Sequence, residues 1–334
     1  MSRTSLGDLT HSFVLRRQVT DLKAAAQRLS SEVTTGRVAD AARAVSGDLV
    51  PLTGIETSLT RLQAYRSATT EAGLFASGMQ EALGVLDRIS GDLATSLVTA
   101  SNAGHAAMIA AVGADAAERF DAAISTLNTR LGDRSLFSGM ATGQPALVSS
   151  ETILAALDAE IAGAATAADA AAAVAAWVAA PSGFAAVAYR GAAPMLPLPI
   201  SPEDDVRLDV TALDPTILRT IEGLALAALI DRTSAPASNA ERATLARLAG
   251  ERLMSGQTDR AGLAARVGTA EARIDAAVQR NDTERAALQM VRVGILAVDP
   301  YAAASELEAV QTQIETLHAI TARLARLSLA DFMR

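Results

Sequence analysis

Apolar and small side chains recur at alternating steps of three and four residues near both ends of the chain. In the C-terminal stretch they fall at Leu307, Val310, Ile314, Leu317, Thr321, Leu324 and Ser328. In the N-terminal stretch the same spacing joins Leu15, Val19, Leu22, Ala26, Leu29 and Val33. Such spacing is typical of a helix that packs lengthwise on another helix. We therefore predict that both ends form long helices and that these helices pair with each other.

Helical periodicity also covers much of the chain between these ends. It spans residues 52–97 and resumes over 114–131. Between these two stretches, Asn102, Gly104 and Gly113 predict a turn. The two helices are therefore expected to form an antiparallel pair.

A single heptad register is kept from 267 to 298. Its seam includes Leu288, which we expect to be buried, and Asn281, which we expect to fix the register. Pro300 ends this helix because proline lacks a backbone N–H and restricts the residue before it. Gly36 is suited to cap the end of the N-terminal helix, because glycine readily adopts the left-handed conformation that helix ends favour.

The middle of the chain has a different character. Gly, Ser and Pro surround the apolar pair Leu136-Phe137, which predicts a loop or a short hairpin. Residues 151–180 are Ala-rich and helical, whereas 184–210 contain short extended runs separated by Gly and Pro. Residues 215–230 are predicted to be a buried helix because their apolar content is continuous.

The predicted fold is therefore mainly α. It consists of a long antiparallel helical bundle formed by both termini, with a smaller mixed α+β central insert domain. We assign residues 1–140 to the N-terminal half of the bundle, 141–260 to the insert and 261–334 to the C-terminal half. A chain of 334 residues is long enough for such an arrangement, since domains commonly hold about 100 to 200 residues.

Composition narrows the possible functions. Half of the residues are hydrophobic but only 3% are aromatic, and much of the apolar share is Ala, which favours close-packed helices over large ligand pockets. The net charge of -8, without any cluster of Lys and Arg, argues against binding nucleic acid or an anionic membrane. No membrane insertion is expected. The chain has no cysteine, which excludes disulfides and thiolate metal sites.

The sequence offers few residues for catalysis or metal binding. His11, His105 and His318 are the only histidines, and their separation gives no metal-ligand spacing. The acidic run 203–205 follows Ser-Pro and is expected in an exposed turn rather than a cation site. Phosphate-binding glycine loops and nucleophile motifs are absent from the sequence. We predict a protein that is not an enzyme and that uses no cofactor or metal.

Several short motifs resemble the flagellin and hook-associated family of bacterial flagella. Near the N-terminus they are Arg28-Leu29-Ser30-Ser31 and Thr35-Gly36-Arg37; near the C-terminus they are Asp299-Pro300-Tyr301-Ala302, Gln311 and Leu327-Ser328-Leu329-Ala330-Asp331-Phe332. The resemblance covers roughly the first 145 and the last 70 residues. Leu136-Phe137-Ser138-Gly139, followed by Thr142 and Pro145, is more similar to the hook–filament junction adaptors of this family than to its filament subunits. An Asn-rich tract typical of flagellin is missing, and the chain has TTEAGL there.

This resemblance implies a structural subunit of the flagellum. The expected role is a junction ring between hook and filament that templates filament growth through the terminal helices. The implied partners are other copies of the chain, a neighbouring hook-associated protein, flagellin, and a cytoplasmic export chaperone that binds the C-terminal helix. The implied location is extracellular, reached through the flagellar type III apparatus without a cleaved signal peptide. The alternatives are a flagellin filament subunit and, from another class, a cytoplasmic coiled-coil scaffold or signalling module.

The residues that would carry assembly are those of the two terminal seams. For an arbitrary helix, a seam of this kind is more often an intramolecular bundle contact than a polymer interface. Placement at both extreme ends favours assembly, because these helices have fewer covalent neighbours to pack on. The predicted assembly seam comprises Leu15, Val19, Leu22, Leu29, Val33, Leu307, Val310, Ile314, Leu317, Leu324, Leu329 and Phe332.

Overall fold

The computed structural model describes the backbone of residues 6–232 and 238–332, and the side chains of 13–232 and 238–323. The helices are α1 (Leu6–Thr35), α2 (Ala41–Ala44), α3 (Val50–Ala103), α4 (Ala106–Leu127), α5 (Ser150–Ile161), α6 (Ala167–Ala179), α7 (Phe184–Val187), α8 (Pro215–Arg232), α9 (Asn239–Ser255), α10 (Gln257–Leu296) and α11 (Pro300–Phe332). The strands are β1 (Arg130–Leu131), β2 (Arg134–Ser135), β3 (Leu198–Pro199) and β4 (Asp205–Val206), which form two antiparallel pairs, β1–β2 and β3–β4. The prediction of a mainly α fold with a small mixed insert is confirmed.

The chain divides into two compact units. One comprises Met1–Leu62 with Asp282–Arg334, and the other comprises Gln63–Asn281. These limits differ from the predicted segments, because residues 63–140 and 261–281 lie in the same compact unit as the insert. Helical periodicity did not reveal this division, since α3 and α10 each continue across a unit limit without a break.

Helix α8 lies at the centre of the Gln63–Asn281 unit. Every residue from Ile221 to Ile230 is buried, and the helix packs on α4 and α9. Close packing with α4 depends on Gly113, because a Cβ added there would lie 3.1 Å from the backbone nitrogen of Asp231. The prediction of a buried helix at 215–230 is confirmed.

Gly113 also accounts for an error in the predicted turn. The break between α3 and α4 takes only Gly104 and His105, and Gly104 has a φ of +67°. Gly113 is a buried residue within α4. The sequence signal is ambiguous because glycine serves both as a turn residue and as a contact that lets two helices approach closely.

The insert is more helical than its sequence suggests. The Ala-rich stretch divides into α5 and α6, and Thr166 forms a capping box with Asp169 at the start of α6. The first predicted extended run forms the one-turn helix α7 instead, where Phe184 is buried with its ring edge-on to Trp177. Extended pairing in this region consists of β3 and β4, of two residues each, and of an isolated antiparallel bridge between Tyr189 and Leu147.

Asn281 is buried at the end of the Gln63–Asn281 unit. Its side-chain amide donates a hydrogen bond of 2.8 Å to the carbonyl of Ile200, next to β3. The polar residue of the α10 seam thus contacts the β3–β4 hairpin. The same hairpin is held by Arg273 and Arg280 of α10, which both pair with Asp204, at 2.7 and 3.1 Å.

Candidate assembly interface

Helices α1 and α11 pack against each other in the unit formed by Met1–Leu62 and Asp282–Arg334. Helix α1 ends at Thr35, and Gly36 follows with a φ of +68° while its N–H donates to the carbonyl of Glu32 at 2.8 Å. Helix α11 begins at Pro300, where the Asp299 carboxylate accepts from the next backbone N–H groups. The predicted cap at Gly36 and the predicted break at Pro300 are confirmed.

The connectors that adjoin these two helices pair with each other. Arg37 and Ala297 form an antiparallel bridge, with hydrogen bonds from Val38 N–H to Leu296 O at 2.9 Å and from Val298 N–H to Gly36 O at 3.1 Å. The end of α1 therefore lies beside the start of α11. Because the helices run away from this common point, they form an antiparallel pair, as predicted for the two ends.

The predicted seam residues lie at different depths in this pair. Leu29 is buried, Val33 is exposed, and the half-buried ones are Leu15, Val19, Leu22, Leu307, Val310, Ile314 and Leu317. The side chains of Leu324, Leu329 and Phe332 lie outside the described residues. Half-burial is the result expected when each helix covers only one side of the other. The pair therefore has a contact stripe rather than a closed core.

Additional large apolar side chains of the same unit are exposed. They are Phe13, Val14, Leu49, Val50, Met290, Val291, Val293, Tyr301 and Ile320. The Gln63–Asn281 unit is larger but exposes fewer of them among its described residues. Sequence reasoning missed these positions because they lie outside the two terminal seams. Their signal is the presence of apolar residues on either side of a seam position, as at Met290 and Val293, which flank the α10 seam residue Val291.

Several acidic and basic side chains of the described chain form ion pairs. Glu222 of α8 is buried, which raises the pKa of its carboxyl group, and it pairs with Arg252 at 3.0 Å. Arg232 donates to both Glu151 and Asp158, and its hydrogen bond lowers the pKa of the Glu151 carboxyl. Among the described residues, no group of three acidic or histidine side chains is placed to hold a metal ion.

A surface groove of about 670 Å³ lies beside the run Glu203–Val210 in the Gln63–Asn281 unit. Its other wall is one face of α10, and Arg273 and Arg266 reach from that face to Asp204 and Asp209. The predicted acidic turn is thus an ion-pairing site for α10. None of the described helices is long and apolar enough to cross a membrane.

Comparison with known proteins identifies one matching region. Residues 256–333 match the family model of the bacterial flagellin C-terminal helical region. The match includes the whole of α10 and α11, so these helices resemble the C-terminal helices of flagellins. It supports the predicted resemblance to the flagellin and hook-associated family without separating the members of that family. No curated protein matches the chain.

Among the solved structures that match the chain is one from a flagellar protein. It belongs to a Vibrio parahaemolyticus protein assigned to the flagellar hook-associated proteins, with a TM-score of 0.47 and 13% sequence identity. The similarity covers 73% of this chain and 95% of that chain.

Proposed function

We propose that the protein is a structural subunit of the bacterial flagellum, of the hook-associated kind, that forms the junction ring between hook and filament. This proposal rests on the incomplete burial of the seam of α11. This helix falls within the flagellin-type region, and in its described part the seam is covered on one side only, by α1. A helix of this kind has apolar surface left for a further partner.

The magnitudes favour assembly through many copies. Full burial of one large apolar side chain is worth roughly 1.5 to 3 kcal/mol. Association of two proteins costs an estimated 4 to 15 kcal/mol or more in lost freedom, so one or two such contacts do not hold a complex. The unit formed by Met1–Leu62 and Asp282–Arg334, here called the terminal unit, exposes more large apolar residues than that number. This suits a ring in which every subunit has neighbours on both sides.

The proposed partners follow from this role. Other copies of the chain form the ring, a hook-associated protein lies on one side of it, and flagellin lies on the other. An export chaperone in the cytoplasm binds the C-terminal helix before export. The protein then reaches the outside of the cell through the flagellar type III apparatus without a cleaved signal peptide. Its role is structural rather than enzymatic.

A flagellin filament subunit is the second candidate. The description of the matched family model favours it, since that model represents the C-terminal helices of flagellin itself. Deletion of the gene separates the candidates. A junction subunit predicts hooks without filaments and flagellin released into the medium, whereas a filament subunit predicts loss of the flagellin band. Electron microscopy of the cells and an immunoblot of the medium measure both. Normal flagella in the deletion strain would exclude both candidates and favour the cytoplasmic scaffold.

Surface variants test which residues carry assembly. Met290→Asp/Val293→Asp changes side chains of α10 that are 70% and 57% exposed in the monomer. The double variant should fold normally, because neither side chain is buried in the free chain. It should nevertheless fail to restore filaments in the deletion strain, because each charge would be buried unpaired on docking.

The matched control is Met254→Asp/Leu196→Asp in the Gln63–Asn281 unit, where the two side chains are 57% and 69% exposed. This control should restore filaments as the unchanged protein does. Equal loss from both double variants would show that the effect does not belong to the terminal unit. Equal success of both would show that the exposed face of α10 is not an assembly surface.

A further inference from the structure

Glu32 is a buried carboxylate in a helix whose nearby residues are largely solvated. Its exposed fraction is 4%, although Ser30, Ser31 and Val33 beside it in α1 are exposed. Burial of a charged group is costly unless hydrogen bonds or an ion pair compensate it. The contacts of Glu32 therefore indicate what its position contributes.

The compensating contacts of Glu32 lie at the end of α1. Its Oε1 atom accepts a hydrogen bond of 3.0 Å from the backbone N–H of Ala39, seven residues further along the chain. The Nε atom of Arg28 is 4.0 Å from the same oxygen. A bond from a helix side chain to a residue beyond the helix end draws the connector after Gly36 back against α1.

This connector is the one that pairs with the other half of the unit. Gly36 O and Val38 N–H bond Val298 N–H and Leu296 O, at 3.1 and 2.9 Å. Ala39 comes directly after this pair of bonds. The carboxylate of Glu32 thus fixes the residue that directly follows the segment whose backbone faces residues 296–298. A charged acceptor makes this bond stronger than a neutral one would.

We propose that Glu32 is the positioning residue of a clasp that keeps the two connectors paired, so that α1 and α11 dock as one element. The coupling of the connectors stands on the contacts of the free chain. The docking part rests on the proposed function, because it assumes that the α1–α11 pair is the surface that enters the flagellar assembly. Without the clasp, the two helices would still form but their ends would separate.

Amide hydrogen exchange of the full-length monomer, resolved to single residues by NMR, tests the coupling. In Glu32→Ala, the amides of Ala39, Val38 and Val298 should all exchange roughly tenfold to a hundredfold faster, the range expected for a lost hydrogen bond to a charged group. Glu32→Gln keeps an oxygen acceptor and should restore most of the protection. Asp21→Ala removes an exposed carboxylate from the same helix and should change none of the three amides.

The outcomes separate a clasp from a simple cap. Faster exchange of Ala39 alone, with Val38 and Val298 unchanged, would overturn the coupling. Equal acceleration in Glu32→Ala and Glu32→Gln would also overturn it, because the acceptor atom would then be irrelevant. Circular dichroism verifies that each variant retains its helix content. If Glu32→Ala fails to fold, Glu32→Gln is compared with the unchanged protein: all three amides should exchange a few-fold faster, because the neutral acceptor is weaker, and exchange equal to that of the unchanged protein would overturn the coupling.

The docking part has its own readout in cells. Glu32→Ala should restore fewer filaments to the deletion strain than Glu32→Gln or Asp21→Ala. Equal restoration by all three would overturn the docking part. Normal flagella in the deletion strain itself would overturn the proposed function, and the exchange result on the monomer would be unaffected.

Discussion

Two leucine-to-alanine substitutions distinguish packing within the larger unit from packing in the terminal pair. Leu97 of α3 is fully buried and lies close to Gly250 of α9. Leu22 of α1 belongs to the seam and is only half-buried. The substitutions remove the same atoms, so a difference in their effects reports the two environments.

The expected losses differ in size and in location. Leu97→Ala removes a buried side chain and leaves a cavity, which typically costs about 2 to 5 kcal/mol. Full burial of a leucine side chain stabilises a protein by roughly 1.5 to 3 kcal/mol, and half-buried Leu22 contributes only part of this. Because water can also enter the space that the side chain leaves, Leu22→Ala should cost about 1 kcal/mol. That loss should fall on local opening of the α1–α11 pair rather than on the main unfolding transition.

Urea unfolding followed by circular dichroism measures the main transition, and hydrogen exchange of α1 amides measures local opening. A chain with two compact units does not justify a single two-state fit, so the two signals are evaluated separately. An equal shift of the main transition in Leu97→Ala and Leu22→Ala would refute the reasoning. It would mean that α1 unfolds together with the larger core.

Three further predictions use other features of the chain. Mild proteolysis of the dilute monomer should cut at the connectors of the terminal helices and leave a resistant middle, seen by mass spectrometry; protection of both ends would contradict this. Burial raises the pKa of the Glu222 carboxyl group, so the folded chain binds a proton there more readily than the unfolded chain. The free energy of unfolding should therefore fall as pH rises from the pKa of Glu222 in the unfolded chain through its pKa in the folded chain. Glu222→Gln should remove this fall, which thermal melting at several pH values measures. The same pH dependence of the melting temperature in Glu222→Gln and in the unchanged protein would contradict the prediction. Gly183→Ala should lose about 1 to 3 kcal/mol in urea unfolding, because its Cβ would overlap the carbonyl oxygen of Trp177, whereas Gly84→Ala in open space should be neutral or stabilising.

Periodicity and chain-breaking residues predicted the long elements well. The pairing of the two ends follows from matching seams, and the limits at Gly36 and Pro300 follow from backbone restrictions of single residue types. Each of these signals lies within a short stretch of sequence and can be recognised without knowing which residues are neighbours in space. The buried helix α8 was equally clear because a run of apolar residues leaves no polar face for solvent.

The parts that were not predicted depend on contacts across the chain. Gly113 permits the approach of α8 and so belongs in a helix, and α7 forms where Phe184 meets Trp177. Glu32 also gave no sequence signal, because its partner is a backbone N–H that any residue at position 39 except proline would provide. Such features become visible only when distant segments are placed together.

Helix α10 shows why periodicity alone does not locate an assembly surface. Its heptad register is unbroken, yet the seam is buried as far as Asn281 and only half-buried or exposed beyond it, as at Leu288 and Val291, the latter 51% exposed. Leu288 is therefore not the buried residue that the pattern predicts, and Leu288→Ala should cost less than full burial would imply. One continuous pattern thus stabilises the folded unit along its first part and leaves apolar surface along its second. Because a heptad repeat encodes a stripe without encoding what covers it, the change at the unit limit marks where packing within the Gln63–Asn281 unit ends, and we infer that the apolar surface left exposed beyond it is available to other subunits.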